Sequence, residues 1–259
     1  MKVAYCLSGL ARENGGDNFT YTKEGILDKW DVDTFISVWN RDYTGCFPSG
    51  HEEIIELYNP KIYRVDEPLD LVTPFMNEYP RKDRWRNFDK TYPEVKKYRS
   101  SWGRTNVLNM YYQIYNCNQL VKMYEKANNF KYDVVIRARA DGGWAINHEL
   151  LRDPNTVYLH GLKDVTMYSD WFAYGSSEVM DKYSSVWLNI QQIARGMEDM
   201  NQTEQNDPTG WYYWLDPHKT LKAHLATFPG LKVQRMERAD IRSQGHIGIG
   251  AYMKREGLE

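Results

Sequence analysis

Three clusters in this chain of 259 residues combine charge, flexibility and position in ways that suit chemistry. The first is Ser8, Gly9 and Arg12, which close an apolar run. The second is Arg137, Arg139 and Asp141, followed by Gly142 and Gly143. The third is Ser169, Asp170 and Trp171. A carboxylate at a strand terminus followed by two glycines can hold a divalent cation bridging a diphosphate, because glycine lets the ligand approach the backbone. Arg137 and Arg139, two apart, share one face of a strand and can neutralise phosphate oxygens through planar, bidentate contacts. The plainer alternative pairs both arginines with Asp or Glu and lets Asp141 begin a turn. Spacing alone favours neither.

Gly9 and Arg12 suit a nucleotide lying over a sheet edge, and suit a solvated loop arginine equally well. Asp170 stands among Tyr168, Trp171, Phe172 and Tyr174. A carboxylate in aromatic surroundings can have a raised pKa and take a proton from a hydroxyl; it can also simply begin a turn ahead of Gly175. Ser8 and Cys6 have no histidine close in sequence, which argues against a nucleophile. The chain has no G-x-x-x-x-G-K-[ST] phosphate loop, and the glycines of 245–250 stand in the wrong order for a dinucleotide fingerprint. The six histidines never fall in zinc-ligand spacing, and a structural role is the expectation for each.

These clusters need strands to carry them. Val3–Ser8, Asp33–Trp39 and Lys61–Val65 read as short buried strands, with helical spacing over Asn18–Trp30 and His51–Tyr58 between them. That alternation predicts a mostly parallel sheet. Thr105–Asn128 reads as a helix. Tyr132–Ile136 is the strongest strand and runs directly into Arg137. Thr156–His160 is another strand, Ser177–Met200 a second long helix, His218–Ala226 a short one, and Lys232–Met236 a last strand. In an open α/β sheet ligands bind outside the carboxyl ends of the strands, where the first two clusters fall. No repeat or linker interrupts the chain, so one domain over 1–259 is expected, with an irregular excursion over 70–104.

The composition narrows the function. Lys plus Arg is 33 and Asp plus Glu is 35, giving a net charge of −2 with a mean hydropathy of −0.70. Within that near-neutral total, 81–104 carries nine basic and three acidic residues interleaved with Trp85, Phe88, Tyr92, Tyr98 and Trp102. Basic and aromatic residues together suit a sugar-nucleotide or glycan site, a single-stranded nucleic acid, or a solvated loop. Nucleic acid ranks last, because the remainder of the chain is acidic. The 20 Tyr and 9 Trp have polar handles that tolerate water. Three widely spaced cysteines suggest reduced thiols in a cytoplasmic setting, and no apolar run approaches the length of a membrane span.

Taken together, the stretch from Val3 to Arg12, Phe35–Asn40, Tyr132–Asp141 and Ser169–Tyr183 resembles a group of glycosyltransferases found in phages, giant viruses and bacterial surface-polysaccharide loci. The resemblance spans Lys2 to about Tyr183. It implies a GT-A-like fold, a Rossmann-type sheet flanked by helices, with a nucleotide-diphospho-sugar donor and a glycan or other hydroxyl acceptor. It would put Ser8, Gly9 and Arg12 beside the nucleotide. Arg137, Arg139 and Asp141 would stand at the place of the metal- and diphosphate-binding Asp-x-Asp motif, and Asp170 would lie on the acceptor side as a candidate base. Related chains commonly carry Arg-x-Arg-Pro-Asp, whereas Ala140 precedes Asp141 here and no second aspartate follows. Two ways of neutralising the diphosphate stay open: Mn²⁺ or Mg²⁺ on Asp141, or the arginines themselves. A non-catalytic glycan-binding protein on a transferase scaffold is the alternative. Asp216-Pro-His218 only loosely resembles the family's His-Pro-Glu element.

Overall fold

The apolar runs build one sheet. A computed structural model describes residues 1–11, 15–41, 49–67, 69, 102–161, 168–201 and 217–244, with backbone alone for 102–106 and 194–201. In chain order the strands are β1 (Lys2–Leu10), β2 (Asp31–Trp39), β3 (Ile62–Asp66), β4 (Val134–Arg139), β5 (Gly143–Ile146), β6 (Thr156–His160), β7 (Phe172–Gly175), β8 (Lys232–Met236) and β9 (Ile241–Gln244). The helices are α1 (Gly15–Thr22), α2 (His51–Tyr58), α3 (Trp102–Asn128), α4 (Ser177–Ser184), α5 (Val186–Asn201) and α6 (Pro217–Leu225). Seven strands form a mixed sheet in the order β3-β2-β1-β4-β7-β6-β8, and β5 pairs with β9 in a separate ribbon. All pairings in the large sheet are parallel except those of β7, which runs against both β4 and β6. The chain is therefore an α/β protein with a mostly parallel sheet flanked by helices.

Alternation along the strands feeds two apolar layers. Ala4, Cys6, Phe35 and Val135 face α3, α4, α5 and α6. Val3, Tyr5, Leu7, Ile36, Val38 and Ile136 face α1, α2 and the β5–β9 ribbon, with Trp144 among them. Being covered on both sides, β1 is apolar from Val3 to Leu7 without a polar interruption. Among the described residues no helix is long and apolar enough to cross a membrane.

Several expected elements move. The helix expected over Asn18–Trp30 begins at Gly15 and gives way after Thr22 to a wider turn, Lys23–Leu27, closed by Asp28 N–H donating to the Lys23 carbonyl at 2.9 Å. Within that turn Gly25 packs tightly on β5, where a Cβ would stand 2.4 Å from the Cβ of Ala145. The helix expected over Ser177–Met200 is broken at Ser185. Its hydroxyl donates to the Lys182 carbonyl at 2.8 Å, and its own carbonyl accepts from Leu188 N–H at 3.0 Å. The apolar period survives the break, since Val179, Tyr183, Val186, Ile190 and Ile193 are all buried. The end of the expected excursion is helical, because Trp102–Arg104 form the first turn of α3. The rest of that excursion, 70–101, lies outside the described residues.

Candidate functional site

From β1 the chain steps outward through β2 to β3, then returns to lay β4 on the other side of β1. That reversal makes the carboxyl ends of β1 and β4 a topological switch point, where open α/β sheets bind ligands. Ser8 lies opposite Arg139 in the register, and Cys6 opposite Arg137. Because β7 runs backwards, its start lies beside the end of β4: Ala138 pairs with Phe172, and Arg139 N–H donates to the Trp171 carbonyl at 3.1 Å. The reversed strand thus carries Asp170 to the edge where Ser8, Gly9, Arg137, Arg139 and Asp141 stand. Arg12 lies outside the described residues. Gly9 has φ +112°, and no described atom would come within 4 Å of a Cβ built there. The backbone conformation calls for glycine, and no described residue fills the space above it. Gly143 is a different case. A Cβ there would meet the Asn18 carbonyl oxygen at 2.8 Å, so this glycine serves the packing of β5 on α1 rather than the approach of a ligand, as the sequence had suggested.

The two arginines part company. Arg139 forks onto Asp141, Nε donating to Oδ1 at 2.9 Å and Nη2 to Oδ2 at 2.6 Å, with its guanidinium 6.0 Å from the Trp171 ring centroid. This is the structural pairing that the sequence left open. Both Asp141 oxygens accept from Arg139, so a divalent cation there would share the carboxylate with the guanidinium. No three His, Cys, Asp or Glu side chains that could share a metal ion stand together among the described residues. Arg137 is only 2% exposed. Its Nε donates to Ser8 Oγ at 3.2 Å, while Nη1 and Nη2 have no hydrogen-bond partner among the described residues. A guanidinium cannot shed its proton to escape burial, and burial costs an ion several kcal/mol unless its donors are met. Asp170 supplies a nearby negative charge, and the two amino groups keep donors for a further anion. Cys6, on the same face of the sheet, is a poor nucleophile, because burial and the neighbouring Cys117 push its thiol up.

Asp170 is 2% exposed, and its Oδ1 lies 2.9 Å from His218 Nδ1. Burial alone would raise its carboxyl, but the His218 ring and the fields of Arg139 and Arg137 outweigh burial and hold it below the usual carboxylate range. That reverses the expectation of a raised pKa: the aromatic residues are present, but the cations decide. A depressed pKa stabilises the fold fully above the unfolded value of about 3.9, and the benefit is lost as pH falls through the folded value. The stability gap between wild type and Asp170→Asn should therefore narrow in denaturant unfolding as buffer pH drops from about 6 to about 3. A gap constant across that range would mean that Asp170 does not carry this charge interaction.

Sequence reasoning missed His218, His160 and Tyr183. His218 Nδ1 also lies 2.9 Å from the Tyr168 carbonyl oxygen. His160 ends β6 and stacks on Trp171, with ring centroids 5.9 Å apart. Tyr183 lies buried within the fields of Arg137 and Asp170. The loose Asp216-Pro-His218 motif was the one signal for His218. Further along the same edge, Ser37, Gln113, Asp66, Arg64 and Tyr112 form a hydrogen-bonded chain at the ends of β2 and β3. Set against known protein families and against curated proteins, the sequence matches none.

Proposed function

We propose that the chain is a GT-A-like glycosyltransferase, moving a sugar from a nucleotide-diphospho-sugar donor to a hydroxyl of a glycan or another acceptor. The observation that carries this reading is Arg137, a buried guanidinium at the switch point whose two amino groups have no hydrogen-bond partner among the described residues, beside Gly9, over which no described residue stands. When the bond from the anomeric carbon to the diphosphate breaks, negative charge grows on the departing oxygens. Donors already fixed at that place stabilise the transition state more than the ground state. Arg137 supplies those donors and Arg139 adds its field, so in this reading arginine takes the place of Mn²⁺ or Mg²⁺. Ser8 orients Arg137 by accepting from Nε. Arg12, following β1, would reach the nucleotide. The free, buried thiols of Cys6 and Cys117 suit a cytoplasmic setting.

The test is thermal unfolding with UDP-, GDP- and dTDP-sugars, each with and without Mn²⁺. A ligand at a hundredfold excess over its Kd adds about 2.7 kcal/mol. At roughly 2–4 °C per kcal/mol for a chain of this size, Tm should rise by about 5–10 °C with one nucleotide series. Mn²⁺ should add nothing further. No shift with any nucleotide overturns the proposal, and a shift produced by free glycans alone would favour the glycan-binding alternative.

A further inference from the structure

We infer that His218 is the general base that takes the proton from the attacking hydroxyl, and that Asp170 is its positioning partner. The inference rests on the glycosyl-transfer reading and assigns a further catalytic residue within that site.

The proton position follows from the contacts. His218 Nδ1 hydrogen-bonds the Tyr168 carbonyl oxygen at 2.9 Å; Asp170 Oδ1 is also 2.9 Å away but accepts no hydrogen bond among the described residues, so its pairing with the ring is electrostatic. A carbonyl oxygen can only accept, so Nδ1 carries the hydrogen, and in the neutral ring the lone pair is on Nε2. The ring is also well anchored. His218 follows Pro217 at the start of α6, and the Pro217 carbonyl accepts from the Tyr111 hydroxyl at 2.5 Å, tying the helix start to α3. The Trp171 ring meets the imidazole at 61°, with centroids 6.5 Å apart.

The two members of the pair are suited to different tasks. The Asp170 side chain is 3% exposed and that of His218 is 18% exposed, so the imidazole is the wetter end and the carboxylate the buried one. Although burial opposes it, the carboxyl is kept ionised by the His218 ring and by Arg139 and Arg137. A carboxylate held below its usual range is a weak proton acceptor, but it stabilises an imidazolium formed next to it, as orienting carboxylates do elsewhere. The same arginine fields place the pair beside the diphosphate site.

The step balances as a single displacement. The acceptor oxygen forms a bond to the anomeric carbon, and the bond from that carbon to the diphosphate oxygen breaks. The electron pair leaves with the diphosphate towards Arg137. The hydroxyl proton goes to His218 Nε2, and the imidazolium is held by Asp170 until the proton passes to solvent.

Water serves as the acceptor in the test, because it is a hydroxyl that needs no identification. Release of nucleoside diphosphate from UDP-, GDP- and dTDP-sugars is measured for wild type, His218→Asn and His218→Gly. The asparagine amide can still donate to the Tyr168 carbonyl, which preserves the fold, but it has no counterpart of Nε2. His218→Asn should lose about 100-fold or more in turnover while its nucleotide-induced Tm shift is unchanged, and added imidazole should restore turnover to His218→Gly. Turnover of His218→Asn within a few-fold of wild type overturns the assignment, as does nucleotide binding by wild type without turnover. Absence of any nucleotide shift in wild type overturns the transferase reading instead, so the two failures are distinct.

Discussion

Arg137→Met is expected to abolish the protein's response to nucleotide sugars at little cost in stability. Most buried residues cannot show this combination, because replacing them weakens the fold. Here the native side chain is itself the liability: two amino groups lie buried without a described partner, and Nε alone is met, by Ser8. Methionine fills much of the same volume and removes two unmet amino groups, a gain set against the loss of one of the cationic fields that hold Asp170 ionised. Binding should fall. Hydrogen bonds to charged groups contribute about 1.5–3 kcal/mol each, so losing donors from two amino groups should weaken nucleotide affinity by at least about 100-fold, at 1.4 kcal/mol per tenfold. Denaturant unfolding in the absence of ligand and a nucleotide thermal-shift titration read the two effects separately. A large loss of stability in Arg137→Met would show that the guanidinium has structural partners after all, and would remove the argument for an anion.

Arg139→Met is the matched contrast. It would leave Asp141 buried without the fork that satisfies both its oxygens, so stability should fall. Two arginines two residues apart on one strand should thus differ sharply in how far their loss weakens the fold.

That difference sets the boundary of what the sequence could tell. Period two places Arg137 and Arg139 on one face, and they are there. Which of them is paired depends on Asp141, two residues away, and on Ser8, which the fold brings from 129 residues away. The strands of the first part of the chain were legible because each is a run of apolar residues closed by Gly, Asn or Pro, and α2 was legible through its spacing and Pro60. The short strands were not. Phe172–Gly175 offers only four residues for a pattern to show itself, and it follows a Ser-Asp-Trp stretch that reads as a turn. The β5–β9 ribbon joins Gly143 to Gln244, a pairing no local signal encodes. β7 is the element that brings Asp170 to the site, so the sequence could nominate that aspartate without showing what it faces. The expectation of a raised pKa failed for the same reason. Tyr168, Trp171 and Tyr174 are neighbours in sequence, whereas His218, Arg137 and Arg139 become neighbours of Asp170 only in the fold.

Trp144→Ala should be the most damaging single truncation near the site, costing about 3–5 kcal/mol, the usual range for removing a buried Trp or Phe side chain. Trp144 is fully buried at the head of the ribbon. Its ring centroid lies 5.1 Å from that of Phe172, which starts the reversed strand, and 5.8 Å from His160, which ends β6. Its indole Nε1–H donates to the Arg139 carbonyl at 3.3 Å, and its backbone N–H donates to Thr22 Oγ1 at 3.0 Å. The side chain therefore joins β4, β6 and β7 underneath the switch point, and the backbone of the same residue ties them to α1. Against a total stability of about 5–15 kcal/mol for an ordinary domain, the alanine variant should show a much lower denaturant midpoint. Trp144→Phe separates packing from hydrogen bonding. It keeps a ring against Phe172 but frees the Arg139 carbonyl, whose lost bond should cost about 1 kcal/mol. The turn from Arg139 to Asp141 then loosens, so nucleotide affinity should fall more in Trp144→Phe than its stability does. Equal small losses in both variants would instead mean that the ribbon packs on the sheet without help from the indole, and that the geometry of Arg139 is set by Asp141 alone.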